Sequence, residues 1–216
     1  ALIVLSKLSA PDKLMIDSAK NGITWLLSLQ NKDGGIPTFC KGWGKLPFDR
    51  SCPDISAHAL EAIIAWESLG VSDQKIQLAK IHIIKYLDHS QHESGYWVPL
   101  WFGNQYTPNQ TNPIYGTSQV LRVLNQIEKP IFPKEKLDKA VDWLSNQQNS
   151  DGSFGHTQNA SGSIEETSLA LLALCNKENV NKPWFKKGYL WLINKTESGT
   201  IFKAEPIGLY FASLWY

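Results

Sequence analysis

The stretch Trp143-Leu-Ser-Asn-Gln-Gln-Asn-Ser-Asp-Gly152 decides the fold. An aromatic residue, a glutamine five positions on and a glycine four beyond it mark a helix end running into a tight turn. The register recurs at Trp25, Gln30 and Gly34 and at Tyr86, Gln91 and Gly95, and with threonine for glutamine at Trp191, Thr196 and Gly199. The aromatic positions are 61, 57 and 48 residues apart. Each glycine turn leads through a variable loop into a second helix that is richer in Ala and Leu. The pattern predicts eight helices, in four pairs. The first starts at Ser9-Ala-Pro-Asp12 and runs through Leu27, and the second carries Asp54, Leu60 and Trp66. The third covers about Asp73 to His89 and the fourth Tyr115 to Leu124. Pro133 opens the fifth, Ile164 to Leu174 is the sixth, Trp184 to Ile193 the seventh, and the eighth begins near Pro206. One amphipathic and one nearly all-apolar member per pair builds two layers, with the apolar helices inside. The expected core between them includes Leu60, Ile64, Leu121, Leu124, Leu169 and Leu172. The predicted fold class is all-α: an α/α toroid if the pairs curve, a solenoid if they stack straight. The terminal repeats lack the polar capping faces that an open solenoid needs.

Bulk composition narrows the function. With 216 residues, 43% of them hydrophobic, the chain can bury one sizeable core. A net charge of +1 with both signs interspersed leaves no electrostatic footprint for nucleic acid. Nine Trp, eight Phe and seven Tyr exceed what a helical core of this size needs, and they point to an aromatic-lined cavity. Cys40, Cys52 and Cys175 fit neither a disulfide framework nor a Cys-x-x-Cys metal site, so a reducing compartment is the default. No apolar run is long enough to span a bilayer. Ala1 to Leu5 reads as the tail of a helix, and the apolar run Leu209 to Tyr216 stops without a C-terminal signal. Residues 1–216 therefore read as a portion of a larger domain, truncated at both ends.

The candidate chemistry begins in Leu46-Pro-Phe-Asp-Arg-Ser-Cys-Pro-Asp-Ile-Ser-Ala-His58. Asp54 and His58 are four residues apart, one turn from each other on one helix face near its N-terminus. A carboxylate and an imidazole so placed make a proton-handling pair. The competing reading is structural: Ser51-Cys-Pro-Asp54 has capping-box spacing, and His58 alone can be a core histidine.

The turns Trp/Tyr-Leu-x3-Gln-x2–4-Gly resemble the QW repeats of the squalene–hopene and oxidosqualene cyclase family, within the terpene cyclase and prenyltransferase toroids. Three longer stretches sharpen the likeness. Ser51-Cys-Pro-Asp-Ile-Ser-Ala-His-Ala-Leu-Glu-Ala resembles the Asp-Val-Thr-Ala-His-Val-Leu-Glu segment of bacterial hopene-type cyclases. Tyr96-Trp97 through Trp101 to Ile114-Tyr-Gly-Thr117 resembles their Ser-Trp…Arg-Trp-Gly…Tyr-Gly-Thr segment. Pro206-Ile-Gly-Leu-Tyr-Phe211 resembles their final barrel helix. The likeness spans nearly the whole chain and implies an α/α toroid of the α6/α6 barrel type, incomplete in this chain, which would be the C-terminal portion of a cyclase barrel with four repeats.

That resemblance implies a class II polyene cyclisation, an isomerase-type reaction on a polyprenyl or triterpene hydrocarbon. An aspartic acid of an Asp-x-Asp-Asp motif protonates the polyene, and no such motif occurs in these 216 residues. Asp54, His58 and Tyr115 match the network that activates the acid: Asp54 holding His58 protonated and oriented, Tyr115 ordering the water that reprotonates it. Trp101 and Tyr216 would line the substrate cavity, where an indole face stabilises a carbocation; Trp43 and Phe48, in the loop before the Asp54 helix, read equally as cavity lining or as packing. The resemblance calls for no cofactor and no metal. It implies peripheral, monotopic membrane association on the cytoplasmic side. As a partner it implies the upstream part of the toroid; the uncovered apolar side of an incomplete toroid separately invites self-association as a homodimer. Leu100 replaces a common arginine, residues 105–111 look inserted, and Ser213 replaces an aromatic; these departures fit a cyclase acting on another polyprenyl substrate.

Other residues read as structural. Ser163-x-x-Glu166 is a capping box at the start of the sixth helix. Gln30, Gln91, Gln148, Asp33 and Asp151 tie turns to helix ends, and Trp25, Tyr86, Trp143 and Trp191 are packing residues more than cavity walls. Two rival functions remain. One is a protein prenyltransferase β-like subunit with zinc on Asp49, Cys52 and His156, although Asp49-Arg-Ser-Cys52 has one residue too many for that family's spacing. The other is a non-catalytic toroid that binds an isoprenoid or a protein.

Overall fold

The computed structural model describes residues 1–8, 11–38, 41, 49–104, 107–127, 131–155, 160–201 and 209–210. The chain divides into two compact units, Ala1–Ser90 and Gln91–Tyr216. The first holds α1 (Leu2–Ser6), α2 (Lys13–Ser28), α3 (Pro53–Glu67) and α4 (Gln74–Ser90). The second holds α5 (Pro113–Leu124), α6 (Lys134–Ser145), α7 (Ile164–Leu174), α8 (Pro183–Lys195) and two short strands, β1 (Phe102–Gly103) and β2 (Leu209–Tyr210).

Burial separates the two kinds of helix. In α2 only Ala19 and Ile23 are buried, in α6 only Ala140 and Leu144, and in α8 only Gly188. By contrast α3 buries residues around its circumference, including Asp54, Ala57, Leu60, Ile63 and Trp66, and α5 does the same. Within the first unit α3 packs on α4 and α1; within the second α5 packs mainly on α7, with α6 and α8 outside them. An all-round apolar helix needs neighbours on several sides, which an inner layer supplies.

The repeated turn is a clip, built the same way three times. Gln30 Nε2 donates to the Gly34 carbonyl (2.8 Å) and to that of Ala79 in α4 (3.0 Å). Gln91 does so to Gly95 and Lys136 of α6, both at 2.9 Å. Gln148 does so to Gly152 (2.8 Å) and Trp184 of α8 (3.0 Å). The glycines adopt φ of +93°, +103° and +99° and lie against the backbone of the next outer helix at His82, Lys139 and Lys187. A side chain there would meet both an unfavourable backbone conformation and a wall. Two residues after each glycine, a backbone N–H reaches into the first turn of the inner helix. Ile36 donates to Ser56 Oγ, Trp97 to Thr117 Oγ1 and Phe154 to Thr167 Oγ1, at 2.8 to 3.0 Å. One turn thus fixes both the outer helix that follows and the inner helix of its own repeat. The expected role of the turn glutamines is met.

The aromatic of each later repeat packs on the preceding turn. Tyr86 lies against Gly35, Trp143 against the ring of Tyr96 (4.9 Å), and Trp191 Nε1 donates to Asp151 (3.1 Å). Trp25 departs from the packing expectation: it is 65% exposed and borders a cavity.

Three other expectations need correction. Leu172 is 55% exposed and Ile64 and Leu169 are only half-buried, while Leu171 and Leu174 take the core positions of α7. So apolar a helix carries little phase information in its sequence. Ser51 is not an N-cap: Cys52 holds that position, and the Ser51 hydroxyl donates to Asp33 Oδ1 at 2.6 Å. Pro53 at the first helical position sets the start one residue later than the capping-box spacing implied. Leu209 and Tyr210, placed in the eighth helix by the sequence, instead pair antiparallel with Gly103 and Phe102. Residues 206–208 and 211–216 lie outside the described residues.

Candidate active site

The first unit presents Asp54 and His58 on α3. The start of this helix is pinned by the turn before it: Cys52 N–H donates to the Ile36 carbonyl (3.0 Å), and Ile36 N–H to Ser56 Oγ. Asp54 sits in the first turn, 6% exposed. Its Oδ1 accepts a hydrogen bond from the Cys52 thiol at 2.7 Å. Burial raises the Asp54 pKa above the ordinary value; the Cys52 thiol, the N–H groups of Asp54 and Ile55 and, least, the charge of His58 oppose that rise.

His58 follows one turn later with 65% of its side chain exposed, and its Nδ1 lies 3.6 Å from Glu61 Oε2. The direct carboxylate partner of the imidazole is therefore Glu61, whereas Asp54 acts on it through space. His58 is no core histidine. It lines an apolar cavity of about 420 Å³ with Ile55, Ala59 and Ala62 of α3, Leu2 of α1 and Trp25 of α2. A protonatable ring at the edge of an apolar cavity, one turn from a buried carboxyl group, can relay or stabilise a proton.

The second unit holds Tyr115 and Trp101. Asn112 caps α5, its Oδ1 accepting from Tyr115 N–H at 3.1 Å, which places Tyr115 in the first turn. The Tyr115 ring stacks on Phe102 with centroids 4.4 Å apart. Trp101 is 3% exposed and Trp97 is fully buried, with Phe132 6.0 Å away. Buried Asn104, from the same loop, donates to Glu166 Oε1 at 3.1 Å. The Ser163 hydroxyl donates to Glu166 Oε2 (2.7 Å) and accepts from Glu166 N–H (3.0 Å), so the cap expected at α7 is present and also anchors this loop. Trp43, Phe48 and Tyr216 lie outside the described residues.

Sequence reading missed three participants: Cys52 as donor to Asp54, Glu61 as partner of His58, and Phe102 as the stacking surface for Tyr115. Glu61, three residues from His58, was legible from helix spacing. The zinc reading fares less well on its own residues. Cys52 directs its thiol at Asp54, Asp49 is buried beside it in sequence, and His156 lies outside the described residues. Among the described residues no three His, Cys, Asp or Glu side chains cluster as metal ligands.

Paired helices in two layers, joined by glutamine clips, are the arrangement of an α/α toroid. The chain belongs to the squalene-hopene cyclase C-terminal domain family, whose model matches residues 1–212. It is 25% identical to the squalene–hopene cyclase of Zymomonas mobilis, over 88% of this chain and 30% of that protein. It is 28% identical to a terpene cyclase-glycosyl transferase fusion protein of Humicola fuscoatra, covering 96% of this chain and 18% of the relative. With the lanosterol synthase of Pneumocystis carinii the identity is 23%, over 96% and 32% respectively. The chain thus spans less than a third of the length of these relatives. Among solved structures, ent-copalyl diphosphate synthase from Streptomyces platensis matches 96% of this chain and 43% of its own with a TM-score of 0.61, at 18% identity. That likeness bears on the fold and supports the α/α toroid class.

Proposed function

We propose that this chain is the part of a triterpene or other polyprenyl cyclase that supports the proton donor and contributes to the cavity wall. The donor itself, an Asp-x-Asp-Asp acid, comes from outside these 216 residues. Membership of the squalene-hopene cyclase C-terminal family supports this reading, as do relatives named squalene–hopene cyclase and lanosterol synthase. The observation that carries it is the placement on α3, one turn apart, of buried Asp54 and of His58, whose ring opens on an apolar cavity.

Protonating an alkene demands a strong acid, and a cationic imidazole beside a carboxylic acid favours the ionised product of that transfer. Asp54, in the first turn of the same helix, sustains the positive charge of His58 through space. Tyr115 contributes a phenol that orders the water returning a proton to the acid after turnover. Trp101 presents an indole to cationic intermediates. The hydrocarbon substrate partitions into lipid, so the protein works at a membrane surface, on the cytoplasmic side, without crossing it. Among the described residues no helix is long and apolar enough to cross a membrane.

The test uses the protein that carries this chain, with squalene as the substrate. His58→Ala lowers kcat about 100-fold or more with little change in KM, because the imidazole tunes the acid and does not hold the polyene. Turnover within twofold of the unaltered protein would show that the network plays no such part.

A further inference from the structure

The three inner helices α3, α5 and α7 begin differently, and the difference falls beside Asp54. Asn112 and Ser163, the N-caps of α5 and α7, use their side-chain oxygens to accept from Tyr115 N–H and Glu166 N–H. Cys52, the N-cap of α3, makes no side-chain cap bond, although its backbone has the extended conformation a cap requires (φ −119°, ψ 129°). Its thiol points instead at Asp54 Oδ1, 2.7 Å away. A serine, threonine or asparagine there would favour the helix more, since those residues lead the N-cap ranking. The position therefore gives up capping and supplies a proton donor to a carboxyl group. Both partners are shielded from water: Cys52 is fully buried and Asp54 nearly so.

We propose that Cys52 is a positioning residue, whose thiol holds Asp54 in its charged form and turned to the start of α3, so that its charge stays available to His58. The proposal rests on the reading of this site as the support of a proton donor. Around this carboxyl group, His58 lies on α3 itself and Tyr86 approaches from α4. Glu61 acts on His58 and Asp33, in the turn after α2, acts on Tyr86, while α1 carries no titratable side chain. Tyr86 is held well above its ordinary pKa first by burial and then by Cys52, Asp33 and Asp54, so it stays a neutral phenol. The Asp33 carboxylate accepts from Ser51 Oγ (2.6 Å) and Gly35 N–H (3.0 Å). Burial works against ionised Asp54. The donors that favour it are the helix N–H groups, which any residue at position 52 would leave in place, and the Cys52 thiol, which only some would. A thiol is a weak donor in water, but a hydrogen bond to a charged group counts for more in a dry site.

The experiment reads the Asp54 carboxyl group directly. Protein labelled with ¹³C at aspartate carboxyls is titrated, with Asp54 assigned by the signal lost in Asp54→Asn. Cys52→Ala moves the Asp54 midpoint up by about one pH unit or more, a tenfold change in its ionisation constant, and Cys52→Ser, which keeps a donor, restores most of it. The acid limb of kcat for squalene moves upward with the midpoint, because turnover then loses ionised Asp54 at a higher pH. If Cys52→Ala leaves the carboxyl midpoint in place, the proposal is wrong. If the midpoint moves and the acid limb does not, Cys52 controls Asp54 as stated, and it is the proposed function that fails. Should Cys52→Ala not fold, a protein that keeps Cys52 and has Cys40 and Cys175 changed to serine gives the same answer through the Cys52 S–H stretch in the infrared. A stretch that shifts to higher frequency as Asp54 is protonated supports the thiol–carboxylate bond, and one that ignores that titration overturns it.

Discussion

Replacing each turn glycine by alanine measures how far the clips hold this fold together. Gly95, Gly152 and Gly199 all lie in the second unit and all have positive φ, +103°, +99° and +82°. An alanine pays about 1–2 kcal/mol for that backbone conformation, offset by about 0.4–1 kcal/mol from the lower entropy of its unfolded chain. The surroundings differ. A Cβ on Gly95 would lie 2.6 Å from the Lys139 carbonyl oxygen, and on Gly152 2.8 Å from the Lys187 carbonyl carbon, while Gly199 has nothing within 4 Å. Backbone in an adjoining helix cannot swing aside as a flexible side chain can. Overpacking of this kind adds about 1–3 kcal/mol. The expected costs are therefore about 2–4 kcal/mol for Gly95→Ala and Gly152→Ala, against about 1 kcal/mol for Gly199→Ala. Urea denaturation followed by tryptophan fluorescence measures all three. Gln148→Ala removes two hydrogen bonds of the same clip, about 2 kcal/mol together, and should combine less than additively with Gly152→Ala. Equal costs at the three glycines, within about 0.5 kcal/mol, would refute the argument that close approach to the next outer helix distinguishes the second and third turns from the fourth.

Two further substitutions probe the helix starts. Because burial raises the pKa of Asp54 above the ordinary carboxyl value of 3.8, its contribution to stability is greatest at low pH and is lost as pH rises through its folded value; Asp54→Asn should therefore unfold at higher urea than the unaltered protein at pH 7 but not at pH 3, while turnover falls. Ser163→Ala removes the α7 cap and one partner of buried Glu166, for a loss of about 1–2 kcal/mol in denaturant titration, and Ser163→Thr should recover most of it.

The sequence carried the repeat clearly because its parts are short and local. An aromatic, a glutamine and a glycine at fixed offsets are needed wherever an outer helix turns back and its neighbour's backbone comes close, so seven of the expected helices are present with starts shifted by a residue or two. What the letters did not carry was direction. In α7 nearly every residue is apolar, and whether Leu171 or Leu172 faces inward depends on the helices that surround it, not on the segment itself. The strand at Leu209–Tyr210 depends likewise on a partner, Phe102–Gly103, more than 100 residues earlier in the chain. At the site the same division holds. The four-residue spacing of Asp54 and His58 was legible, and so was their placement near a helix start. The roles within the pair were not, since spacing alone cannot tell a buried carboxyl group that takes a thiol proton from an exposed imidazole that pairs with Glu61. Burial makes that distinction. A solvated Asp54 would be ionised without help from any neighbour, and its charge would be screened before it reached His58. For a buried one the N–H groups at the α3 N-terminus and the Cys52 thiol are the donors that favour the charged form, and in the proposed network that charge acts on His58 across one helical turn.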